Sequence, residues 1–522
     1  MIECRKKIIE DQNFYASALF QLFAEPVVAA QTEENNPTDK DHSKLSDSHS
    51  DENNSPLDPK DKKRRNGGKK KLPLGNIINH TLSDENKMCP CCKAKMHKQR
   101  SKARTYVLSL PLLSTETHIL ESYRCLSCDA QETANNNSNI ANECIGRYHF
   151  SAVSSLATLR YQCGMASYRM ENMSDAIGIK VSDSTQWYLF ENAASLVQPF
   201  VCYLEKEVAN APIQHVDDTH NIILNIVKDI EAEQEQAILQ GKDPNKIRSG
   251  IHTTNLTGVF PDGKIILYKT GLHHSGEILA QTLSKRTIAE QIIVMADAAS
   301  ANTSKINFQE NENVKMANCN SHAIRKFQDL ADKDANIAKN NFIKDHKTSE
   351  YLNYFLFRYK SIFINENLSK HLSPNKRLCY HQKNSLSLMI EMKERAESDI
   401  IKKVFEPNND IGKIYQYFLN HFNKLSAFCY LEGAPVCNNL SERMLKSIIL
   451  HRKNSLFFKT QLGATVADIL TSILFTAKEN DLNSVDYLRD LLIHQTRWKQ
   501  NPKDWLPWNY LNTIASIKNN PQ

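Results

Sequence analysis

The sequence contains no apolar run close to the roughly 20 residues that a membrane-spanning helix needs, and its mean hydropathy is −0.50. A basic-then-apolar leader is also missing from residues 1–20, so we expect the 13 cysteines to stay reduced in the cytoplasm. Strong charge bias is absent as well, because the net charge is only +6. Such a mildly basic chain suits a polyanionic partner but does not require one. These absences exclude a membrane protein and disfavour a secreted one.

Large apolar residues are scarce between about residues 31 and 66, which predicts a disordered charged linker over 31–72. The preceding residues, 1–30, are predicted to form an N-terminal helical arm. Seven lysines and arginines lie between residues 62 and 71. This run could bind phosphate groups or could simply be a solvated stretch of the linker. Because a single core rarely grows beyond about 300 residues, the 522-residue chain should hold several domains.

Two pairs of cysteines follow the linker, Cys89 with Cys92 and Cys125 with Cys128. Each pair has Cys-x-x-Cys spacing, and 32 residues separate the two pairs. Four thiolates in this pattern are typical of a tetrahedral zinc site, and four protein ligands leave no position open for chemistry. We therefore expect a structural Zn²⁺ in a module over 73–148, with buried or redox cysteines as the alternative.

A helical pattern over 149–210 contains a segment that resembles a helix-turn-helix. Gly178 lies where the turn needs a residue that tolerates positive φ, and Ser182 or Ser184 could cap the second helix. The recognition helix would run from about residue 184 to residue 194. Because that helix holds few cations, an ordinary helical hairpin remains the alternative.

Short β-branched and apolar segments follow, with one helical segment, 275–285, before the fourth strand. Strands are predicted at Ile213 to Val216, Ile251 to Phe260, Lys264 to Thr270, Ile292 to Ala296 and Val314 to Ala317. This order is the RNase H-like arrangement, with a polar surface excursion at 228–249. We expect an α/β core over 211–334 and 431–480, an α-helical insertion over 335–430, and a C-terminal helical tail over 481–522.

Three acidic residues stand out in this region: Asp217, Asp297 and Glu442. The first two follow predicted buried strands and the third lies in a predicted helix, so the fold could bring the carboxylates together. Clustered carboxylates repel one another unless cations lie between them, and Mg²⁺ or Mn²⁺ prefers such oxygen ligands. Two ions per site could activate a nucleophile and stabilise the leaving oxygen of a phosphodiester, which predicts metal-dependent strand cleavage.

Several neighbouring residues are candidates for supporting roles. Cys319 and His322 could bind metal, although two ligands are few, and a structural thiol with a histidine supporting the site is favoured. Asn438 and Asn439 are predicted to cap or orient the glutamate helix. The candidate cations for DNA phosphates, whose alternative is a solvated basic surface, are Arg325, Lys326, Arg443, Lys446, Arg452 and Lys453.

Five ordered motifs resemble those of the IS66-family transposases, a DDE group of bacterial insertion sequences. They are VDDT at 216–219, MAD at 295–297, CNSHAIRKF at 319–327, NNLSERMLK at 438–446 and RKNSLF at 452–457. The likeness extends back through the cysteine pairs and forward to LPW at 506–508. Three positions depart from the family pattern: Asp218 stands where Glu is usual, His220 where Pro is usual, and His451 where Gly is usual.

The resemblance implies a transposase that cuts the ends of its element and joins them to target DNA, with Asp217, Asp297 and Glu442 as the metal ligands. It also implies a helical domain inserted before the glutamate, and a homo-oligomer on double-stranded DNA near the nucleoid, with companion proteins of the element as further partners. Two other functions remain open, a decayed or repurposed DNA-binding copy and a nuclease that cuts without joining. A zinc hydrolase using Cys319 and His322 ranks last.

Overall fold

The computed structural model describes residues 112–117, 122–124, 131–133, 139–298, 313–340, 350–406 and 408–519. The predicted N-terminal arm, the charged linker and the four cysteines assigned to zinc, Cys89, Cys92, Cys125 and Cys128, lie outside these residues. Among the helices that are described, none is long and apolar enough to cross a membrane.

The chain has a mixed α/β fold that is mostly helical and contains one five-stranded mixed sheet. Two short antiparallel pairs precede it, β1 (Ser122–Arg124) with β2 (Gln131–Thr133) and β3 (Cys144–Ile145) with β4 (Tyr148–His149). The sheet strands are β5 (Ile213–His220), β6 (His252–Val259), β7 (Lys264–Gly271), β8 (Ile292–Ala296) and β9 (Val314–Asn318). Their order is β7-β6-β5-β8-β9, antiparallel from β7 to β5 and parallel from β5 to β9.

The helices fall before, between and after these strands. Before the sheet are α1 (Phe150–Ala157), α2 (Ser167–Ala176) and α3 (Asp183–Ala209), and between its strands are α4 (Leu224–Leu239) and α5 (Ser275–Leu283). The helical insertion comprises α6 (Asn320–Asn340), α7 (Glu350–Ser369), α8 (Pro374–Asn384), α9 (Leu386–Ile401) and α10 (Asp410–Leu425). The chain then forms α11 (Asn439–Ser455), α12 (Gln461–Glu479), α13 (Ser484–Ile493), α14 (Gln495–Gln500) and α15 (Pro507–Asn519).

The five predicted strands and the helix before β8 are all present. The largest difference is at β5, which continues past its apolar residues through Asp217 to His220. The polar excursion at 228–249 contains most of α4 and a short 3₁₀ helix at Pro244–Lys246. Helices fill the described part of the predicted insertion.

The sheet separates two hydrophobic cores, as the alternation along β8 demonstrates. Ile292, Val294 and Ala296 belong to one core, whereas Ile293 and Met295 belong to the other. Successive strand residues point to opposite faces, so a strand buried on both sides must be apolar throughout. In the first core the sheet packs against α1, α3, α5 and α12 to α15, and in the second it packs against helices between α6 and α10. Helices that precede the sheet in the chain and helices that follow it therefore both pack against it. The predicted domain boundaries stay predictions.

The helical hairpin of α2 and α3 has part of the predicted geometry. Gly178 has φ of +79°, and the Ser182 hydroxyl accepts a hydrogen bond from the Thr185 amide at the start of α3. However, α3 runs from Asp183 to Ala209, well beyond the predicted recognition helix, and Gln186 is fully buried. The helix-turn-helix interpretation stays a prediction.

Helix α12 covers the outer edge of β7 with polar side chains spaced four residues apart. Each accepts a hydrogen bond, 2.6 to 3.0 Å long, from an alternate amide of the strand: Asp468 from Thr270, Ser472 from Tyr268, Thr476 from Ile266 and Asn480 from Lys264. Four helix residues rise about 6.0 Å and two strand residues about 6.8 Å, so the two spacings nearly match. The helix satisfies edge groups that another strand would otherwise pair with.

Candidate functional site

The predicted aspartates lie in one row that crosses the sheet. The register pairs His215 of β5 with Met295 of β8, and two more residues along both parallel strands bring Asp217 level with Asp297. On the other side, Asp217 pairs with Asn255 of β6. Residues paired across adjacent strands share a face of the sheet, with neighbouring strands about 4.8 Å apart. The sheet itself therefore brings the two carboxylates together.

The same row extends to both outer strands. Asn255 pairs with Tyr268 of β7, and Cys319 follows the last paired residue of β9, level with Asp297. The row therefore reads Tyr268, Asn255, Asp217, Asp297 and Cys319 from one edge of the sheet to the other.

Helix α11 lies over this row and contributes the glutamate. The Ser441 hydroxyl donates to the Asn255 side-chain oxygen at 2.7 Å, and the Tyr268 hydroxyl donates to the Met444 carbonyl at 3.0 Å. Glu442 Oε1 lies 3.9 Å from Cys319 Sγ at the other end of the row. These contacts bring Glu442 to the same face of the sheet as the two aspartates.

Asn438 joins the start of α11 to β5. Its buried side chain donates from Nδ2 to the Val216 carbonyl at 2.9 Å, and its Oδ1 lies 2.9 Å from Nδ1 of His215. It makes no side-chain cap hydrogen bond, and its side chain contacts β5 instead. The neighbouring Asn439 accepts a hydrogen bond from the Ser321 hydroxyl at 3.1 Å, which links α11 to α6.

The electrostatics of Asp217 reflect the convergence of the acids. Burial raises the pKa of Asp217 to about 7, the negative charge of Asp297 is the next largest cause, and Glu442 and Asp218 add to it. Asp217 is thus close enough to Asp297 and to Glu442 for each of their charges to act on it. The three carboxylates offer oxygen donors only, which fits hard divalent ions such as Mg²⁺ and Mn²⁺.

Asp218 points to the opposite face of β5 from Asp217. Its Oδ2 accepts a hydrogen bond from the Ser275 amide at 2.9 Å, at the first turn of α5. Its Oδ1 lies 3.8 Å from Nδ1 of His252. Asp218 therefore anchors a helix N-terminus, where a negative charge is favourable, and stays outside the carboxylate cluster.

Cys319 and His322 have a third potential ligand beside them, which the sequence spacing could not reveal. Although Glu442 follows Cys319 by 123 residues, its Oε1 lies 3.9 Å from Cys319 Sγ and 3.7 Å from His322 Nδ1. One ligand atom from each of the three residues lies within 4.8 Å of the other two. The structure therefore adds a third potential metal ligand to the two that the Cys-x-x-His spacing offered.

The six candidate DNA-binding cations have different surroundings. Arg325 lies 4.0 Å from Glu442 Oε2, and Lys326 lies 4.6 Å from the centre of the Tyr417 ring. On α11, Arg443 forms an ion pair with Glu479 at 2.5 Å, and Arg452 donates to the His220 carbonyl at the end of β5. Two others, Lys446 and Lys453, are exposed on α11. Part of this basic set is therefore engaged within the fold.

The departure at His451 has a packing explanation. The buried imidazole is stacked between the rings of Tyr161 and Phe458, with centroids 6.1 and 5.7 Å away. Burial lowers the pKa of His451 to about 4, and the positive charge of Arg160 lowers it further. A neutral ring at this position ties the end of α11 to the helical region before the sheet.

Sequence reasoning missed three residues that organise the site: His215, Asn255 and Ser441. His215 carried a signal, because it lies two residues before Asp217 and therefore on the same face of the strand. Asn255 and Ser441 carried none, since their hydrogen bond depends on the packing of α11 against β6.

Comparison with known proteins matches this chain to a family model and to two uncharacterized proteins. A family model described as "Transposase IS66 family" matches residues 146–466. Two similar proteins come from Sinorhizobium fredii (strain NBRC 101917 / NGR234): the uncharacterized protein y4hP is 30% identical over 39% of this chain, and the uncharacterized protein y4jD is 26% identical over 38%. Each match covers 36% of the relative's own length.

Proposed function

The chain belongs to the IS66 family of transposases, and on this premise we propose that it is a DDE transposase. It would cleave DNA strands at the ends of an IS66-type insertion sequence and join them to target DNA. The observation that carries the proposal is that Asp297 and Glu442 both lie near enough to Asp217 for their charges to raise its pKa. Cytoplasmic action on the bacterial nucleoid is part of the same proposal.

The topology supports an RNase H-like core. Three antiparallel strands continue into two parallel ones. Asp217 lies on the first strand of the sheet in chain order, and Asp297 directly follows the fourth. The glutamate arrives on α11 after the helices of the insertion. This arrangement lets two sequence-distant carboxylates share a face while the insertion packs against the same side of the sheet.

Asp217, Asp297 and Glu442 would hold two divalent ions, Mg²⁺ or Mn²⁺. When bound, such ions supply activation of a hydroxyl nucleophile and stabilisation of the leaving 3′ oxygen. The chain itself supplies positioning: the sheet register fixes the two aspartates, and Asn438 fixes the helix that carries Glu442. The exposed Lys446 and Lys453 would contact DNA phosphates, with Arg325, Lys326, Arg443 and Arg452 as further candidates.

The remaining partners belong to the same proposal. Cys89, Cys92, Cys125 and Cys128 would hold a structural Zn²⁺ in the N-terminal module. Because both ends of an element must be held together before joining, the active form would be a homo-oligomer on double-stranded DNA. Companion proteins of the element could complete the assembly.

The test is a strand-transfer assay with the full chain, DNA carrying paired element ends, and Mg²⁺. Asp217→Asn should abolish both cleavage and joining, while Asp218→Asn is the matched control because its side chain faces α5. Cleavage without any joined product would replace the proposal with a nuclease. DNA binding without cleavage in the unmodified chain would indicate a decayed or repurposed DNA-binding protein.

A further inference from the structure

We propose that Cys319, His322 and Glu442 form a second metal site, one that takes a thiophilic divalent ion such as Zn²⁺. The site shares Glu442 with the proposed catalytic centre, and only its regulatory consequence rests on the proposed function. Its binding chemistry stands on the geometry of the three side chains.

The ligand atoms are nearly at coordination distance from one another. Glu442 Oε1 lies 3.9 Å from Cys319 Sγ and 3.7 Å from His322 Nδ1, and all three atoms lie within 4.8 Å. In a tetrahedral zinc site with bonds of about 2.0 to 2.3 Å, ligand atoms are roughly 3.5 Å apart. The side chains of His322 and Glu442 are 28% and 24% exposed, so small rotamer changes could close the remaining gap.

The surroundings of Cys319 suit a metal-bound thiolate. Its side chain is buried, and the Asn438 amide donates a hydrogen bond to Sγ at 3.1 Å. The His322 amide donates to the same sulfur, and the two amides oppose the burial that raises the pKa of the free Cys319 thiol to about 12, so the thiolate would form only with an ion bound. Amide donors stabilise negative charge on sulfur, and soft thiolate ligands favour Zn²⁺ or Co²⁺ over Mg²⁺.

His322 has a ring nitrogen available for the ion. Its Nδ1 is buried and has no hydrogen-bond partner among the described residues, and it faces Glu442 Oε1. Because Cys319 immediately precedes α6 and His322 lies in its first turn, the local backbone holds both ligands near each other. The third ligand comes from α11, so the ion would link the two helices.

Sharing Glu442 has a consequence for the proposed chemistry. A thiophilic ion bound to Oε1 would withdraw that oxygen from the aspartates and leave Glu442 one oxygen for Mg²⁺. Cys319 lies in the row next to Asp297, so the two sites are adjacent rather than remote. A thiophilic ion would therefore compete with Mg²⁺ for Glu442 and act as an inhibitor.

The experiment is a Co²⁺ titration of the full chain, stripped of bound metal by a chelator and then freed of the chelator, in the absence of DNA. Thiolate-to-cobalt charge-transfer absorption in the near ultraviolet reports a Co²⁺–sulfur bond. We expect the spectrum of the unmodified chain to exceed that of Cys319→Ser by one saturable site, with His322→Ala weakening that site at least tenfold. Because all variants keep the N-terminal cysteines, any signal from those residues cancels in the difference.

Identical titrations of the unmodified chain and Cys319→Ser would overturn the proposal. If Cys319→Ser fails to fold, His322→Ala decides alone, since it keeps the buried thiol, and an unchanged affinity in that variant refutes the site. The readout is independent of strand transfer. If the chain is an active transposase but gives no cobalt signal, only the second metal site is refuted. If it gives the cobalt signal but is inactive, only the proposed function is refuted.

Discussion

Asp217 of β5 lies level with Asp297, the residue after β8, because the register of these parallel strands pairs His215 with Met295. The backbone hydrogen bonds between β5 and β8 therefore fix the strand ends from which the two aspartates extend. Glu442 differs, since its position depends on how α11 is held against the sheet.

Replacing Asp217 with Asn should stabilise the metal-free protein. The folded-state pKa of Asp217 is about 7, well above the value of about 3.9 in an unfolded chain. Ionising the buried group therefore opposes folding, with a cost that grows between about pH 4 and pH 7 and is complete above pH 7. We expect a gain on the order of 2 kcal/mol at pH 8 and a smaller gain at pH 5, measured by denaturant unfolding in EDTA. Asp218→Asn should bring no gain, and equal effects of both variants would contradict this account.

Mn²⁺ should stabilise the unmodified protein through the same cluster. An ion that binds the folded state at 100 times its dissociation constant adds about 2.7 kcal/mol to the free energy of unfolding. The midpoint of thermal unfolding should rise with Mn²⁺ concentration, and this rise should be lost in Asp297→Asn. A rise of the same size in that variant would indicate that Mn²⁺ binds elsewhere.

Asn438→Ala should destabilise the protein far more than Asn439→Ala. The first change removes buried hydrogen bonds to Val216 and His215 and leaves their groups without partners, at a cost of about 2 to 3 kcal/mol. Asn439 is exposed and contacts Ser321, so its loss should cost about 0.5 kcal/mol or less. Unfolding in urea measures the difference. Any strand cleavage by folded Asn438→Ala should be slower, because Glu442 loses its anchor.

Asp468→Asn should remove part of the pH dependence of stability. Burial raises the pKa of Asp468 to about 7, although its contacts with Thr270 lower it, so the folded state holds a proton that the unfolded chain releases near pH 4. Stability of the unmodified protein should fall as pH rises from about 4 to 7, and this slope should flatten in Asp468→Asn. Asp468→Leu should instead be destabilising at every pH, because the Thr270 amide loses its acceptor. A slope unchanged in Asp468→Asn would show that Asp468 is ionised throughout.

Lys453→Ala should weaken binding to any DNA duplex and lower the salt dependence of affinity by about one unit of slope. Arg443→Ala should have a smaller effect, because Arg443 already pairs with Glu479. Fluorescence anisotropy over a range of salt concentrations measures both. Equal losses would mean that the ion pair opens on DNA, and no loss for Lys453→Ala would remove it from the interface.

The sequence predicted the sheet well because its strands are apolar and short. It missed the continuation of β5, since 217–220 is polar and propensity alone gives no reason for Asp217 to lie inside a strand. The acidic triad was expected from strand ends and from the family likeness. An orienting role for Asn438 was expected, but its partners Val216 and His215 could not be foreseen, because only tertiary packing brings them beside the start of α11.

The cover that α12 forms along β7 bears on how copies of this chain could associate. Since polar side chains of the helix already occupy the outward amides of that strand, a second molecule cannot extend the sheet there by adding its own strand. Partners that meet at this edge would have to do so through helix surfaces or through the nucleic acid itself. Assembly could then be tuned by surface substitutions without disturbing the backbone that holds the aspartates.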